Sequence, residues 1–239
     1  MEAVKPAGVG QVLGPGDVVC DVPSSGQLRL GPGLTATDGE VRALKSGVLR
    51  QTAKTGSLWL DTKQRRYIAA EGEPVVGIIV DKHAENFNVD IGGPFTAVLP
   101  QLSFEGATKR NRPNLARGDI VYARIVSASR DMEPTLTCVD AAGRAAGMGA
   151  LKEGTVVGVS TSSARRMLAS PPPPVLADIG AHIAFELAAG VNGRVWVSCP
   201  EIGDLILVSE VLRKAEALTD AQARTLVARM LSTRGSAGG

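Results

Sequence analysis

Three basic side chains stand close together in the middle of the chain: Lys109, Arg110 and Arg112. Ammonium and guanidinium groups clustered in this way are typical of contacts with nucleic-acid phosphates. Pro113 follows directly and disfavours a helix, so we expect the cluster to lie on a loop. We therefore predict a nucleic-acid contact at these three residues. A solvated loop and an ion-paired contact with a neighbouring protein are the alternatives.

Few other residues are suited to catalysis or metal binding. The chain has two histidines, His83 and His182, and three widely spaced cysteines that form no CxxC pair, Cys20, Cys138 and Cys199. The acidic residues form no cluster suited to two-metal chemistry. We predict no catalytic residue, no metal site and no cofactor. The odd number of cysteines argues against a disulfide framework and favours a reducing, intracellular compartment.

Charge and hydropathy exclude further classes of protein. The 239 residues include 26 Lys+Arg and 24 Asp+Glu, a net charge of +2, whereas a protein that coats nucleic acid is usually far more basic. Residues 71–143 carry seven basic and ten acidic residues, which favours a localised basic patch over broad coating. The apolar runs fall well short of the roughly 20 residues that a membrane helix needs, so we expect no membrane partner. The N-terminus shows no signal-peptide pattern.

The elements that must position the basic cluster are short strands. Residues 1–70 alternate Gly/Pro turns with short apolar runs and contain no amphipathic helix, which predicts a small all-β domain. Residues 71–143 contain five short strand-like runs, a number that suits a Greek-key barrel of the OB type. The runs lie at 74–80, 86–91, 97–99, 118–126 and 135–139. The basic cluster falls between the third and the fourth.

Residues 144–232 show the order strand, helix, break, strand, strand, helix. Four prolines at 171–174 end the first helix. Residues 182–187 alternate as a half-buried strand does, and Asn192-Gly193 predicts a two-residue type I′ turn into its partner strand. With a very short second helix at 175–180, this order is that of a type I KH domain, βααββα. We expect a disordered tail at 233–239. The predicted fold class is multidomain and mainly β, with an α+β C-terminal domain.

Longer motifs point to one family. Residues 104–114, FEGATKRNRPN, resemble a loop of the S1/KH cap subunits of the eukaryotic RNA exosome. The segments 131–134, DMEP, and 190–197, GVNGRVWV, resemble the same family, the second through its GxNG signature. The resemblance covers about residues 14–231 and is most specific between 104 and 196.

This resemblance implies a non-catalytic RNA-binding subunit. Such subunits sit with two related subunits on one face of a six-membered ring, help to hold the ring closed, and line the opening through which RNA enters for 3′–5′ processing and degradation. The implied fold is an N-terminal β domain, an S1 barrel and a KH domain. The implied partners are RNA and the other cap and ring subunits, with no small-molecule substrate. The implied localisation is the nucleus and nucleolus, and also the cytoplasm.

Five residues are expected to join domains rather than to bind RNA: Asp90, Gly190, Asn192, Gly193 and Trp196. Asp90 lies in an apolar strand, which favours a carboxylate that accepts backbone N–H groups from a nearby loop. The GxNG formally fits the GxxG phosphate clamp of KH domains, but the clamp position is occupied by the proline run, which lacks N–H donors. The resemblance implies instead that GxNG joins the KH and S1 domains. Trp196, between two valines of a strand, is expected in the core or at a domain interface.

The base-stacking face of the barrel is expected to be weak. S1 barrels stack bases on exposed aromatic side chains, and their usual Phe-Val-Asp-Ile-Gly pattern reads Asn88-Val-Asp-Ile-Gly here. Phe87 is displaced by one position and therefore points to the opposite face of its strand. We expect Phe87, Phe95 and Tyr122 to belong to the core.

Two rival functions follow from the same domains. A free-standing S1/KH regulatory protein would need an intact stacking face and a true GxxG loop. A phosphorolytic nuclease would need a separate catalytic domain, for which residues 1–70 are too few. Both alternatives are therefore less well supported than a cap subunit.

Overall fold

The computed structural model describes residues 8–23, 28–52, 56–62, 66–129 and 131–236, with side chains as far as residue 232. The chain divides into two compact units, residues 1–64 and 65–239. None of the described helices combines the length and the apolarity needed to cross a bilayer.

The first unit contains two three-stranded antiparallel sheets. Its strands are β1 (Val12–Leu13), β2 (Val18–Asp21), β3 (Leu34–Thr37), β4 (Glu40–Ala43), β5 (Gly47–Gln51) and β6 (Leu58–Asp61). One sheet has the order β1-β5-β6 and the other β2-β4-β3. Alternation along β6 buries Leu58 and Leu60, which pack with Val41 and Leu49 in a small apolar core. The described part of this unit contains strands and no helix, as the Gly/Pro turns predicted.

The second unit begins with a closed five-stranded barrel. Its strands are β7 (Pro74–Lys82), β8 (Asn86–Asp90), β9 (Ala97–Pro100), β10 (Ile120–Ser127) and β11 (Thr135–Thr137). Their order is β11-β9-β8-β7-β10, and β10 closes the barrel by pairing with β11. All neighbours are antiparallel except β9 and β11. The five predicted strands are thus present, with ends shifted by a few residues.

Strand direction places three loops at one end of the barrel. The β7–β8 loop, the β9–β10 loop and the segment after β11 share this end, because β7, β9 and β11 run towards it and β8 and β10 start from it. The predicted basic cluster lies in the β9–β10 loop, and therefore at this end.

A sixth strand extends the barrel sheet. β12 (Gly149–Leu151) pairs with β10, so that Leu151 lies opposite Ile120. The sequence pattern instead groups residues 144–232 with the α+β C-terminal domain. A three-residue strand after a Gly-rich segment shows no alternation, so its partner could not be predicted.

The rest of the unit, residues 155–236, forms an α+β domain that we call the C-terminal domain. Its elements are β13 (Thr155–Gly158), α1 (Thr161–Met167), α2 (Pro174–Gly180), β14 (Glu186–Gly190), β15 (Arg194–Ser198), α3 (Ile202–Ala215) and α4 (Asp220–Ser236). The sheet order is β13-β15-β14, all antiparallel. Val195 and Val197 of β15 pack against Val208 and Val211 of α3 in its core. The predicted order βααββα is present, with α4 added.

Two local predictions in this domain were wrong. The strand expected at 182–187 begins only at Glu186, because His182 and Ile183 donate their N–H groups to Ile179 and complete the turn after α2. The hairpin turn is not type I′, because Asn192 does not have a positive φ. Gly190 and Arg194 are opposite each other, so the loop has three residues and ends at Gly193, which has φ of 77°.

The C-terminal end also differs from the prediction. Thr219 and Gln222 form a capping box, with the Thr219 N–H donating to Gln222 Oε1 at 3.0 Å. α4 then continues to Ser236, although we had expected disorder from residue 233. Residues 237–239 of that predicted tail lie outside the described residues.

Candidate nucleic-acid interface

The β9–β10 loop presents two of the three predicted cations at the tip of a tight turn. Thr108 and Asn111 exchange backbone hydrogen bonds, at 2.9 and 3.1 Å, and the Asn111 N–H also donates to Thr108 Oγ1 at 3.0 Å. Lys109 and Arg110 occupy the two positions between them and are exposed. Within the described part of the chain, neither side chain makes a hydrogen bond or an ion pair. Their charges are therefore available to an external anion.

Arg112, the third predicted cation, has a different environment. Its Nη1 donates to the carbonyl oxygen of Ala84 and lies 3.5 Å from Oε1 of Gln101. These contacts join the β9–β10 loop to the β7–β8 loop. The guanidinium has five N–H donors, so other donors of this exposed side chain stay available. The structure therefore brings the three cations together and makes Arg112 an anchor of the loop as well.

The β7–β8 loop is held in place by Gln101. The Gln101 side chain is buried, and its Nε2 donates to the His83 carbonyl at 2.8 Å. The Gln101 N–H donates to the Glu85 carbonyl at 2.9 Å. These bonds place the His83 ring beside Asn88, with 3.1 Å between His83 Nε2 and Asn88 Nδ2. The sequence alone indicates no role for His83, because its neighbour Asn88 lies five residues away on another element.

S1 barrels usually expose a base-stacking aromatic ring on the strand that corresponds to β8. Here β8 exposes no aromatic ring. Phe87 is fully buried and meets Phe104 edge to face, with centroids 6.3 Å apart. Tyr122 is half-buried and donates its hydroxyl to the Ala189 carbonyl at 3.2 Å. Phe95 is 43% exposed, so our expectation of a core position was wrong for this residue. It lies in the β8–β9 loop, at the other end of the barrel from the basic tip.

The segment after β11 adds a further cation at the same end. Glu105 accepts a hydrogen bond from the Ala145 N–H at 3.2 Å, which ties this segment to the β9–β10 loop. Arg144 is next to Ala145 and remains 74% exposed while it pairs with Asp140 at 3.4 Å. The backbone hydrogen bond from Arg144 is the largest influence on the Asp140 carboxyl and lowers its pKa; desolvation opposes this, and a further backbone hydrogen bond from Ala142 adds to the lowering. The carboxylate therefore stays ionised and orders the loop.

Three of the predicted joining residues, Asp90, Gly190 and Asn192, lie where the C-terminal domain meets the barrel. Asn192 is 8% exposed. Its Oδ1 accepts from the Val76 N–H at 3.2 Å, and its Nδ2 donates to the carbonyls of Val76 and Ile91 at 2.8 and 2.9 Å. Gly190 has no room for a side chain, because a Cβ would lie 2.5 Å from the Val76 nitrogen. A Cβ on Gly193 would lie 2.6 Å from the Val159 carbonyl oxygen.

Asp90 forms an ion pair with Arg194. The Arg194 Nη2 lies 2.6 Å from Asp90 Oδ2, and Nη1 donates to the Asp90 carbonyl at 2.6 Å. The other carboxylate oxygen accepts from the Gly92 N–H at 2.8 Å. Partial burial opposes ionisation, but the hydrogen bonds from Arg194 and Gly92 outweigh it and lower the pKa of Asp90.

Trp196 is 5% exposed and lies on β15 between two core valines. Because side chains alternate along a strand, Trp196 faces away from the helices that Val195 and Val197 contact. The barrel strand β7 contacts both β14 and β15. A Cβ on Gly154 would lie 2.4 Å from Trp196 Nε1, so the indole packs directly on the Gly154 backbone.

A second contact joins the two domains. Arg165 of α1 lies 3.6 Å from Glu73, whose other oxygen accepts from the buried Tyr67 hydroxyl at 2.6 Å. Burial, followed by the hydrogen bond to Glu73, raises the pKa of Tyr67, so this phenol stays protonated. α1 thus directs a cation towards the barrel. Among the described residues, no group of three His, Cys, Asp or Glu side chains could hold a metal ion.

Three family models match successive parts of the chain. Residues 67–149 match the family model described as exosome complex component RRP40, S1 domain. Residues 154–203 match a KH-domain model, and residues 28–66 match a model described as the exosome complex exonuclease Rrp40 N-terminal domain. These matches confirm the predicted fold class, an N-terminal domain followed by S1 and KH domains.

Full-length relatives agree with this assignment. The chain is 40% identical over 228 residues to exosome complex component rrp40 of Schizosaccharomyces pombe, covering 92% of this chain and 94% of that protein. It is 37% identical over 206 residues to exosome complex component RRP40 of Homo sapiens, covering 84% and 74%. A solved structure of an RNA-binding protein attributed to an exosome complex shares the fold, with a TM-score of 0.58 at 20% identity, covering 71% of this chain and 99% of that one. The resemblance inferred from the loop motifs is therefore confirmed: the chain belongs to the exosome complex component RRP40 family.

Proposed function

We propose that this chain is a non-catalytic, RNA-binding cap subunit of an RNA exosome. It stabilises the ring on which it sits and lines the opening through which RNA enters for 3′–5′ processing and degradation. Its partners are single-stranded RNA and the other cap and ring subunits, with no membrane and no small-molecule substrate. It acts in the nucleus and nucleolus and also in the cytoplasm. Membership of the RRP40 family supports the assembly, and the barrel loops support the RNA contact.

The observation that carries the RNA contact is the exposed Lys109–Arg110 tip. Two adjacent cations without partners among the described residues stand on a turn held by three hydrogen bonds. Such a turn can neutralise phosphates with little loss of backbone freedom. Arg112 and Arg144 lie on hydrogen-bonded neighbours of this tip and enlarge the positive surface.

The α1–α2 connection of the KH domain is not suited to bind a phosphate, which also favours RNA contact through the barrel. The α1–α2 connection contains Pro171, Pro172 and Pro173, which have no N–H groups to cradle a phosphate. The GxNG sequence, which formally resembles the clamp, is occupied by its contacts with Val76 and Ile91. RNA contact through the barrel loops is therefore favoured over contact through the KH domain.

The RNA contact is tested by charge reversal. We expect Lys109→Glu/Arg110→Glu to weaken binding of a single-stranded RNA and to make binding less salt-dependent, with a slope smaller by about 0.7 per lost phosphate contact. The matched control is Lys45→Glu/Arg213→Glu, which changes the net charge equally at two exposed positions elsewhere. Equal loss in both double variants would show that only overall charge matters and would contradict the proposed site.

The assembly role is tested by the native mass of the tagged chain purified from cells after ribonuclease treatment. Recovery in a large complex with ring and nuclease partners is expected. Recovery as a monomer that binds RNA tightly would favour the free-standing regulator. Degradation of RNA by the purified chain with magnesium or phosphate would contradict the non-catalytic assignment.

A further inference from the structure

His83 lies at the end of the barrel that carries the Lys109–Arg110 tip, and its imidazole is exposed. It follows β7 directly, and its ring lies beside Asn88 on the outer face of β8, where 3.1 Å separates Nε2 from the Asn88 amide nitrogen. The His83 side chain is 55% exposed. A planar π-surface is therefore presented beside the position where S1 barrels usually carry an aromatic residue.

The backbone beneath this ring is held from both sides. The His83 N–H donates to the Asn86 carbonyl at 2.8 Å, and the His83 carbonyl accepts from the buried Gln101 side chain at 2.8 Å. The next carbonyl, that of Ala84, accepts from Arg112. A ring on a loop fixed in this way loses little conformational freedom when a ligand stacks on it.

The ring and the basic tip belong to one surface. Arg112 bonds to the residue that follows His83, and Arg110 stands two positions before Arg112. A strand whose phosphates contact the tip can thus place a neighbouring base on the imidazole. Phe87 cannot serve this purpose, because it is fully buried in the barrel core.

The charge near the ring favours a base over a phosphate. Asp81 Oδ2 lies 3.7 Å from His83 Nε2, and the Asp81 side chain is exposed. A carboxylate at this distance repels a phosphate at the ring, whereas an uncharged base is tolerated. Stacking requires only the π-face of the base and accepts any sequence.

We propose that His83 is a base-contacting residue, whose imidazole stacks on an unpaired base of the single-stranded RNA held by Lys109 and Arg110. This inference rests on the proposed function, because it requires RNA to pass along this end of the barrel. Asn88 has no ring and cannot stack on a base. The stacking role is assigned instead to His83, on the adjacent loop.

The test compares four His83 and His182 variants of the full chain by fluorescence anisotropy with a labelled oligouridylate of about 12 nucleotides, within the site sizes of such barrels. We expect His83→Ala to weaken binding at least about fivefold, the lower end of the contribution of one stacked base. His83→Phe, which keeps a ring, should bind within about twofold of the wild-type chain. His83→Lys, which introduces a cation without a ring, should be as weak as His83→Ala. The control is His182→Ala, at an exposed position of the KH domain.

Each other outcome is informative. Unchanged binding by His83→Ala, or full binding by His83→Lys, would overturn the stacking role. Loss in Lys109→Glu/Arg110→Glu together with no change in His83→Ala would overturn this inference alone and leave the proposed function intact. A wild-type chain that binds no oligouridylate would overturn both. Intact RNA binding with reduced recovery of partner subunits in His83→Ala would assign the residue to a protein contact and reject the inference.

Discussion

The Asn192 side chain hydrogen bonds to both main-chain groups of Val76, a residue 116 positions away. β8 pairs with β7 only from Ile78 onwards, so Val76 lies beyond the end of its partner strand. The amide of Asn192 takes the place that a further β8 residue would occupy, and the Val191 N–H donates to the Pro74 carbonyl at 2.9 Å. The KH hairpin thus completes the edge of a barrel strand, which explains how the two domains form one unit.

Replacement of Asn192 should therefore loosen the whole second unit. Asn192→Ala leaves one buried N–H and two buried carbonyls of the barrel without these partners, so we expect the free energy of unfolding to fall by about 2–4 kcal/mol. Urea denaturation measures this. Asn114→Ala is the control, because Asn114 is exposed and its side chain accepts a hydrogen bond only from Lys82, at 3.1 Å, within the described part of the chain. Equal stability of the two variants would contradict the structural role of Asn192.

Gly190 is expected to tolerate no side chain. A Cβ there would lie 2.3 Å from Asn192 Oδ1 and 2.5 Å from the Val76 nitrogen, so Gly190→Ala must displace the hairpin from β7. We expect a loss of about 1–3 kcal/mol. Gly203→Ala, in α3 with open space around its Cβ, should instead be neutral or stabilising by up to about 1 kcal/mol. A thermal melt of both variants is sufficient, and an unchanged melting temperature for Gly190→Ala would show that the close approach is not required.

The Asp90–Arg194 pair predicts a pH dependence. The pKa of Asp90 is lowered in the folded chain, so the folded state binds this proton less readily than the unfolded state does. Its contribution to stability is therefore present above the unfolded value of 3.8 and is lost as the pH falls through the lower folded pKa.

Chemical denaturation at a series of acidic pH values checks this dependence. Asp90→Asn should be less stable than the wild-type chain near neutral pH, and the difference should shrink as the pH falls below about 4. Glu71→Gln removes an exposed carboxylate in the same unit and serves as the control. A difference that stays constant down to the lowest pH would show that the Asp90 charge contributes nothing.

Trp196 should tolerate loss of its N–H but not a charge. Its Nε1 is buried and has no hydrogen-bond partner among the residues that the structure describes, so Trp196→Phe loses packing only. Trp196→Arg would place a guanidinium at a position that is 5% exposed, and we expect it to fold poorly or to lose more than about 3 kcal/mol. The measurement compares the soluble yield and the melting temperature of the two variants. An Arg variant as stable as the Phe variant would refute the buried position of Trp196.

The three cysteines should differ in reactivity. Cys138 is buried, and desolvation raises the pKa of its thiol to about 12, so it should not react with a thiol reagent in the folded chain. Cys20 and Cys199 are partly exposed, and burial followed by a nearby carboxylate raises their pKa values less. Mass spectrometry after brief alkylation should find slow modification at these two and none at Cys138 until the chain unfolds. Rapid labelling of Cys138 in the native chain would show that its region opens.

The sequence by itself determined the parts that depend on local patterns. Short apolar runs located all five barrel strands, and the proline run after α1 correctly ended that helix. The loop motif 104–114 and the GxNG signature identified the family. Lys109, Arg110 and Arg112 were predicted to form a basic cluster on a loop, because both the cluster and Pro113 are local features.

Tertiary structure alone decided the relationships between distant segments. The position of Asn192 at the edge of β7, the contact of Arg112 with Ala84 and the place of His83 beside Asn88 each join different elements. Periodicity reports which face of its own element a residue occupies, whereas these contacts depend on how separate strands and loops pack together. The hairpin loop differs from the predicted type I′ turn for the same reason. Its three-residue conformation is accompanied by contacts of Asn192 with the barrel, which the Asn-Gly pair alone does not predict.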